Sequence, residues 1–164
     1  MLKLYLDSSV LLKRYVTESG TEITDEIFDR AEAGELTIVV SLWNIGEALG
    51  VLDERRRRGW LSRKEFAQAL ESFVGEIVKL MELKTLEVIP VHTPILTEAW
   101  DTVMTRHIYE ADALQISTCN YSKSNALISA DGKLCEASNE AGVKAFHITE
   151  DEKLRQLIQN ACFK

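Results

Sequence analysis

The chain of 164 residues has no apolar run approaching the roughly 20 residues that a membrane-spanning helix needs. Its opening, Met1-Leu2-Lys3-Leu4-Tyr5-Leu6-Asp7, meets a charge too early to read as a signal peptide. The expectation is a cytoplasmic protein without a membrane partner. Cysteine is scarce too. Cys119, Cys135 and Cys162 are odd in number, far apart and without a CxxC pair, which excludes a disulfide framework and a thiolate zinc site. Buried, reduced thiols are expected. His92, His107 and His147 lack the i, i+4 spacing that aims two imidazoles at one metal, so each is read as structural or exposed. Positive charge is in deficit, with 19 Lys and Arg against 26 Asp and Glu and a formal net charge of −7. Binding of polyanions through an overall positive field is thereby excluded, and any nucleic-acid contact must be local or bridged by metal.

What remains is ordinary for a globular chain: 46% hydrophobic and 27% charged residues, at a length that suits one domain over residues 1–164. The pattern predicts a strand over residues 2–6, followed by Asp7-Ser8-Ser9 as capping residues for a helix at about 10–16. A second helix over 21–33 stops at Gly34, and the β-branched run at 36–40 is a second strand. A helix after Ser41 ends in an arginine run and Gly59. The next opens with the capping box Ser62-Arg63-Lys64-Glu65, and the two form a helical hairpin at about 42–82.

A third strand spans 86–89. Thr93 then reads as the cap of a helix with Pro94 in its first turn and a buried stripe of Leu96, Ala99, Trp100, Val103 and Met104. A helix over 109–121, a strand over 126–129, a short helix over 131–141 and a strand over 143–148 follow. A second capping box at Thr149 to Glu152 opens the last helix. Such alternation implies a three-layer α/β/α sandwich around a mainly parallel sheet, because parallel neighbours need helical crossovers. Ligands of such sheets bind beyond the carboxyl ends of the strands, where Asp7 and Asp131 are expected.

Four acids, Asp7, Glu47, Asp112 and Asp131, stand where the chain leaves a strand or opens a helix. Singly, each has a structural account. Asp7 and Asp131 suit turns or N-caps, and Asp112 suits the first turn of a helix. Glu47 shares a helical row with Trp43 and Val51, which turns it toward the protein or the edge of a cleft. If the four converge, each pair of like charges about 4 Å apart repels by roughly 4 kcal/mol at an effective dielectric near 20. Protons or a cation must then relieve the cluster. An all-oxygen set suits Mg²⁺ or Mn²⁺, which would activate water for phosphodiester hydrolysis without a protein nucleophile.

At Leu4-Tyr5-Leu6-Asp7-Ser8-Ser9, Gly46-Glu47-Ala48-Leu49, Tyr109-Glu110-Ala111-Asp112-Ala113-Leu114-Gln115-Ile116 and Leu127-Ile128-Ser129-Ala130-Asp131 the chain resembles the PIN-domain family, and within it the VapC-type toxin ribonucleases. The resemblance implies an α/β/α fold whose acidic pocket binds Mg²⁺ or Mn²⁺ and cuts RNA. It implies Asp7, Glu47, Asp112 and Asp131 as the catalytic, metal-binding acids, with Ser129 and Ser8 or Ser9 supporting the carboxylates. It also implies a homodimer and a cognate antitoxin, for which the helices between Ser41 and Met81 offer surface. The dense basic run Arg55, Arg56, Arg57 and Arg58 is the candidate RNA contact, although a solvated helix end accounts for it as well.

Other readings separate on single residues. An aspartyl phosphatase wants a second Asp two after Asp7, where Ser9 stands, and a phospho-accepting signalling domain wants an acidic pair near the end of the first strand. An RNA-processing nuclease without an antitoxin, or a catalytically silent interaction module on the same fold, stays open.

Overall fold

Strand β1 (Leu2–Leu6) runs through the centre of a five-stranded sheet of order β3-β2-β1-β4-β5, and every pairing is parallel. The structure is a computed structural model and describes residues 1–162. The other strands are β2 (Leu36–Ser41), β3 (Leu86–Ile89), β4 (Ala126–Ser129) and β5 (Ala145–His147). Eight helices are described: α1 (Ser8–Leu12), α2 (Thr21–Glu32), α3 (Leu42–Arg57), α4 (Arg63–Glu82), α5 (Thr93–Arg106), α6 (Glu110–Tyr121), α7 (Gly132–Glu140) and α8 (Asp151–Cys162). None is long and apolar enough to cross a membrane.

Side-chain alternation along β1 shows how the layers form. Leu2, Leu4 and Leu6 pack on one face with Val10 and Leu11 of α1, Ile27 and Phe28 of α2 and Leu80 of α4. Tyr5 points to the other face, against Ile116 and Cys119 of α6 and Leu134 of α7. Both faces are therefore covered, as an all-parallel sheet requires. A third cluster, Leu12, Ala48, Leu52, Ala69 and Phe73, joins α3 to α4 beside the sheet. Cys119 and Cys135 are buried free thiols, as expected, whereas the Cys162 side chain lies outside the described part.

Several boundaries depart from the sequence pattern. Asp7 itself caps the first helix by accepting from the Val10 N–H, so α1 starts at Ser8. It ends by Lys13, where the backbone tightens into i→i−3 bonds at Lys13, Arg14 and Tyr15. At α5 the N-cap is His92, with no side-chain bond, rather than Thr93. The expected stripe on α5 is also corrected: Ile95 and Ala99 are buried, while Trp100 and Met104 are 59% and 75% exposed. β5 is shorter than expected because the Val143 N–H closes the end of α7 on Ser138 O instead of joining the ladder. The last helix opens at Asp151, and Thr149 Oγ1 pairs with the His147 ring at 2.6 Å.

Candidate metal centre

The strand order reverses beside β1, since β2 lies on one side of it and β4 on the other. That reversal opens a crevice beyond the carboxyl ends of β1 and β4. Leu6 pairs with Ile128, which brings the next residues, Asp7 and Ser129, side by side at its floor. The Asp7 N–H extends the ladder by donating to Ile128 O at 3.2 Å.

Asp7 is only 3% exposed, so its carboxylate must be satisfied from within. Ser129 donates its hydroxyl to Oδ2, Ser9 donates to Oδ1 at 2.5 Å, and the Val10 N–H donates to Oδ1 at 3.0 Å. The two serines are held in turn, as Asp131 N–H donates to Ser129 Oγ at 2.9 Å and Ala130 N–H to Ser9 Oγ at 3.0 Å. Ser9, not Ser8, is thus the neighbour that reaches Asp7. Burial pushes the Asp7 carboxyl above its ordinary range, opposed by the Ser129, Ser9 and backbone hydrogen bonds.

Asp131 follows β4 and is exposed. Its Oδ1 caps α7, accepting from Lys133 N–H at 2.8 Å and Leu134 N–H at 3.4 Å. Helix capping and a place on the crevice rim are therefore combined in one residue. His147, at the end of β5, steadies this segment, since its Nε2 lies 2.8 Å from Ala130 O. A carbonyl oxygen can only accept, so Nε2 carries the proton and Nδ1 accepts from Thr149.

Asp112 stands in the first turn of α6, where the helix dipole favours its charge. It is nevertheless raised above the ordinary carboxylate range, first by desolvation and then by the negative charges of Asp131, Asp7 and Glu47. All three other acids therefore lie within electrostatic reach of Asp112. Glu47 sits in the second turn of α3, half-buried, and its Oε2 is buried without a hydrogen-bond partner. A buried carboxylate oxygen without a partner is costly unless a donor or a cation completes it.

The donor set is all oxygen, which fits a hard divalent ion. Among the described residues no three His, Cys, Asp or Glu side chains stand close enough together to hold an ion directly. Mg²⁺ needs fewer protein ligands than that, because it keeps several waters and commonly takes one or two carboxylates.

The arginine run lies elsewhere. Arg55, Arg56, Arg57 and Arg58 occupy the far end of α3, roughly 12–17 Å along the helix axis from Glu47 at about 1.5 Å per residue. Each is in an ion pair, Arg55 with Glu18, Arg56 and Arg57 with Asp53, and Arg58 with Glu54.

An acidic rim at the reversal point of an open parallel sheet defines a class: doubly wound α/β proteins with a site beyond the strand ends. The PIN domain model matches residues 4–140, and the chain belongs to the PIN domain family. No curated protein matches it in sequence. Among solved structures it is similar to PAE2754 from Pyrobaculum aerophilum, at 15% identity and a TM-score of 0.65 over 99% of this chain and 91% of that one. FitAcB from Neisseria gonorrhoeae is similar at 16% identity and a TM-score of 0.64, over 88% and 97%. VapC20 of Mycobacterium tuberculosis, a toxin that cleaves the sarcin-ricin loop, is similar at 12% identity and a TM-score of 0.58, over 85% and 95%. At these identities the likeness is one of fold.

Proposed function

We propose that the protein is a Mg²⁺- or Mn²⁺-dependent endoribonuclease, the toxin of a type II toxin–antitoxin pair, acting in the cytoplasm on RNA phosphodiester bonds. The observation that carries this reading is Asp112, whose carboxyl is raised first by desolvation and then by the negative charges of Asp131, Asp7 and Glu47 together. Structural acids are normally paired with cations or donors. Three acids within electrostatic reach of a fourth at one crevice are arranged for a positive guest.

In this reading Asp7, Glu47, Asp112 and Asp131 hold the ion, directly or through its waters. When bound, the ion supplies Lewis acidity and neutralises charge developing on the scissile phosphate. Asp7 is the most rigid of the four, because three donors and two braced serines fix its orientation. Ser129 and Ser9 support it, and Glu47 offers the oxygen without a partner. Asp112 and Asp131 approach from helix starts, so the site assembles from four separate elements.

Partners follow from the same reading. α4 leaves Val74, Val78 and Met81 each 50% exposed in one helical row, the kind of surface an antitoxin helix covers. Trp43 and Trp100 flank a small apolar cavity of about 190 Å³ with Leu96 and Val103, and a second copy of the chain in a homodimer would cover it. The arginine run of α3 is the proposed RNA contact outside the acidic crevice.

The test is cleavage of a panel of structured and single-stranded RNAs by purified protein with Mg²⁺, with Mn²⁺ and with chelator. Metal-dependent cleavage that Asp7→Asn and Asp112→Asn each abolish, with the fold intact, is the expected result. Absence of cleavage with both metals would leave the chain as an interaction module.

A further inference from the structure

Beneath the acids lies a second polar group, and it is fully internal. The Tyr5 hydroxyl donates to Asn44 Oδ1 at 2.6 Å, and Asn44 Nδ2 donates to Gln115 Oε1 at 2.9 Å. Asn44 Oδ1 also accepts the Ser41 N–H at 2.9 Å, while the Ser41 hydroxyl accepts the Asn44 N–H at 3.1 Å, a reciprocal cap that fixes the start of α3. Tyr5 and Asn44 have no exposed surface and Gln115 has 5%. The bonds also settle the amide orientations, since the Ser41 N–H requires an oxygen at Asn44 Oδ1, which leaves Asn44 Nδ2 to donate to Gln115 Oε1.

The placement of this group matches that of the acids. Tyr5 lies on β1 and Asp7 directly follows the strand in extended backbone whose N–H continues the ladder, so the two, i and i+2, point to the same face of the sheet. Asn44 and Glu47 are i, i+3 on α3, and Asp112 and Gln115 are i, i+3 on α6, so each pair shares one side of its helix. One strand and two helices therefore each contribute an acid above and an interlocked polar residue below. A nonpolar layer would pack these elements but would leave α3 free to slide or roll against α6. Two hydrogen bonds with fixed direction set the register.

We propose that Tyr5, Asn44 and Gln115 are positioning residues that set the affinity of the acidic crevice for its divalent ion, by locking β1, α3 and α6 so that Asp7, Glu47 and Asp112 stay in fixed relation. This rests on the metal-site reading above and adds to it the part of the interior that tunes the ion. The network touches neither the ion nor the substrate. It acts through the backbone of the three elements.

The experiment is Mn²⁺ titration of the purified full chain by calorimetry, with thermal unfolding of the same samples. The variants are Tyr5→Phe, Gln115→Leu and Gln115→His, with Ile27→Val as a control on the opposite face of the sheet. Tyr5→Phe and Gln115→Leu are expected to weaken Mn²⁺ binding about tenfold, the lower end of losses typical when groups behind metal ligands are removed. The double variant should lose less than the product of the two, because both bonds meet at Asn44. Gln115→His, which keeps a ring nitrogen to accept from Asn44, should recover most of the affinity. Ile27→Val should lower Tm with Mn²⁺ affinity unchanged, which a merely structural network would also predict for Tyr5→Phe. If Tyr5→Phe and Gln115→Leu lower Tm but bind Mn²⁺ as the parent does, the positioning role is wrong while the metal site stands. If the parent shows no saturable Mn²⁺ binding, both ideas fall.

Discussion

The hydroxyl of Ser129, at the end of β4, donates to the carboxylate of Asp7, at the end of β1, across 122 residues of chain. The bond is buried, and the same oxygen of Ser129 accepts the Asp131 N–H. One side chain thus orients one acid of the crevice and fixes the backbone of another.

Removing that hydroxyl has a double cost. Ser129→Ala leaves Asp7 Oδ2 without its donor and the Asp131 N–H without its acceptor. Urea unfolding should show a loss of about 1–3 kcal/mol for unsatisfied buried groups, together with weaker Mn²⁺ binding. A Ser129→Ala protein as stable as the parent would mean the bond has little weight in solution.

Asp7→Asn should abolish cleavage and raise stability. Burial lifts the Asp7 carboxyl in the folded state, so the charged form opposes folding at neutral pH and the neutral amide does not. The sign follows from linkage: a raised carboxyl stabilises the fold relatively only when protonated. The gain should be full above the raised value of Asp7, shrink as pH falls through it, and vanish below the ordinary carboxylate range. For a chain of this size each kcal/mol gained is about 2–4 °C in Tm. Thermal scans without metal from neutral to acidic pH read it directly; a variant melting below the parent at neutral pH contradicts it.

Ion affinity should climb with pH. Asp7 and Asp112 are both raised, and an ion must displace whatever protons they hold. Mn²⁺ titrations from acidic to neutral pH should tighten steadily and release protons to the buffer, with the slope levelling once both groups are ionised. A pH-independent constant would exclude both acids from the ion's surroundings.

The arginine run is testable by salt. Arg56→Gln with Arg57→Gln should flatten the plot of log affinity for single-stranded RNA against log salt, by about 0.7 for each phosphate no longer neutralised. Stability should hardly change, because the partnering Asp53 and both guanidinium groups are exposed. An unaltered slope removes the run from RNA binding.

Much of this architecture is legible locally. β2 follows its β-branched run, β3 spans 86–89 as the pattern predicts, and α4 begins where Ser62 and Glu65 form their reciprocal cap. The positions of Asp7 and Asp131 after strands are readable from the same patterns. Other features need the folded chain. Hydrophobic spacing on α5 includes Trp100 and Met104, but apolar residues are common on surfaces, so spacing alone does not tell the inner side from the outer. Ser8 and Ser9 are equivalent in sequence, and only the turn after β1 aims Ser9 at the carboxylate. Asn44 escapes a pattern reading because the cap at Ser41 uses Asn rather than Glu or Gln three residues on. The spacing signal is nonetheless present, since Ser41 and Asn44 stand at capping distance. The adjacency of β1 and β4 is a tertiary fact that no local pattern encodes.

The reversal of strand order beside β1 also bears on how the crevice comes together. Asp7 and the hydroxyl that orients it are 122 residues apart, and β4 must dock beside β1 before their bond exists. A chain that has paired only β1 with β2 carries Asp7 without that donor and without the neighbouring strand, so the floor of the crevice cannot form before the two distant segments meet.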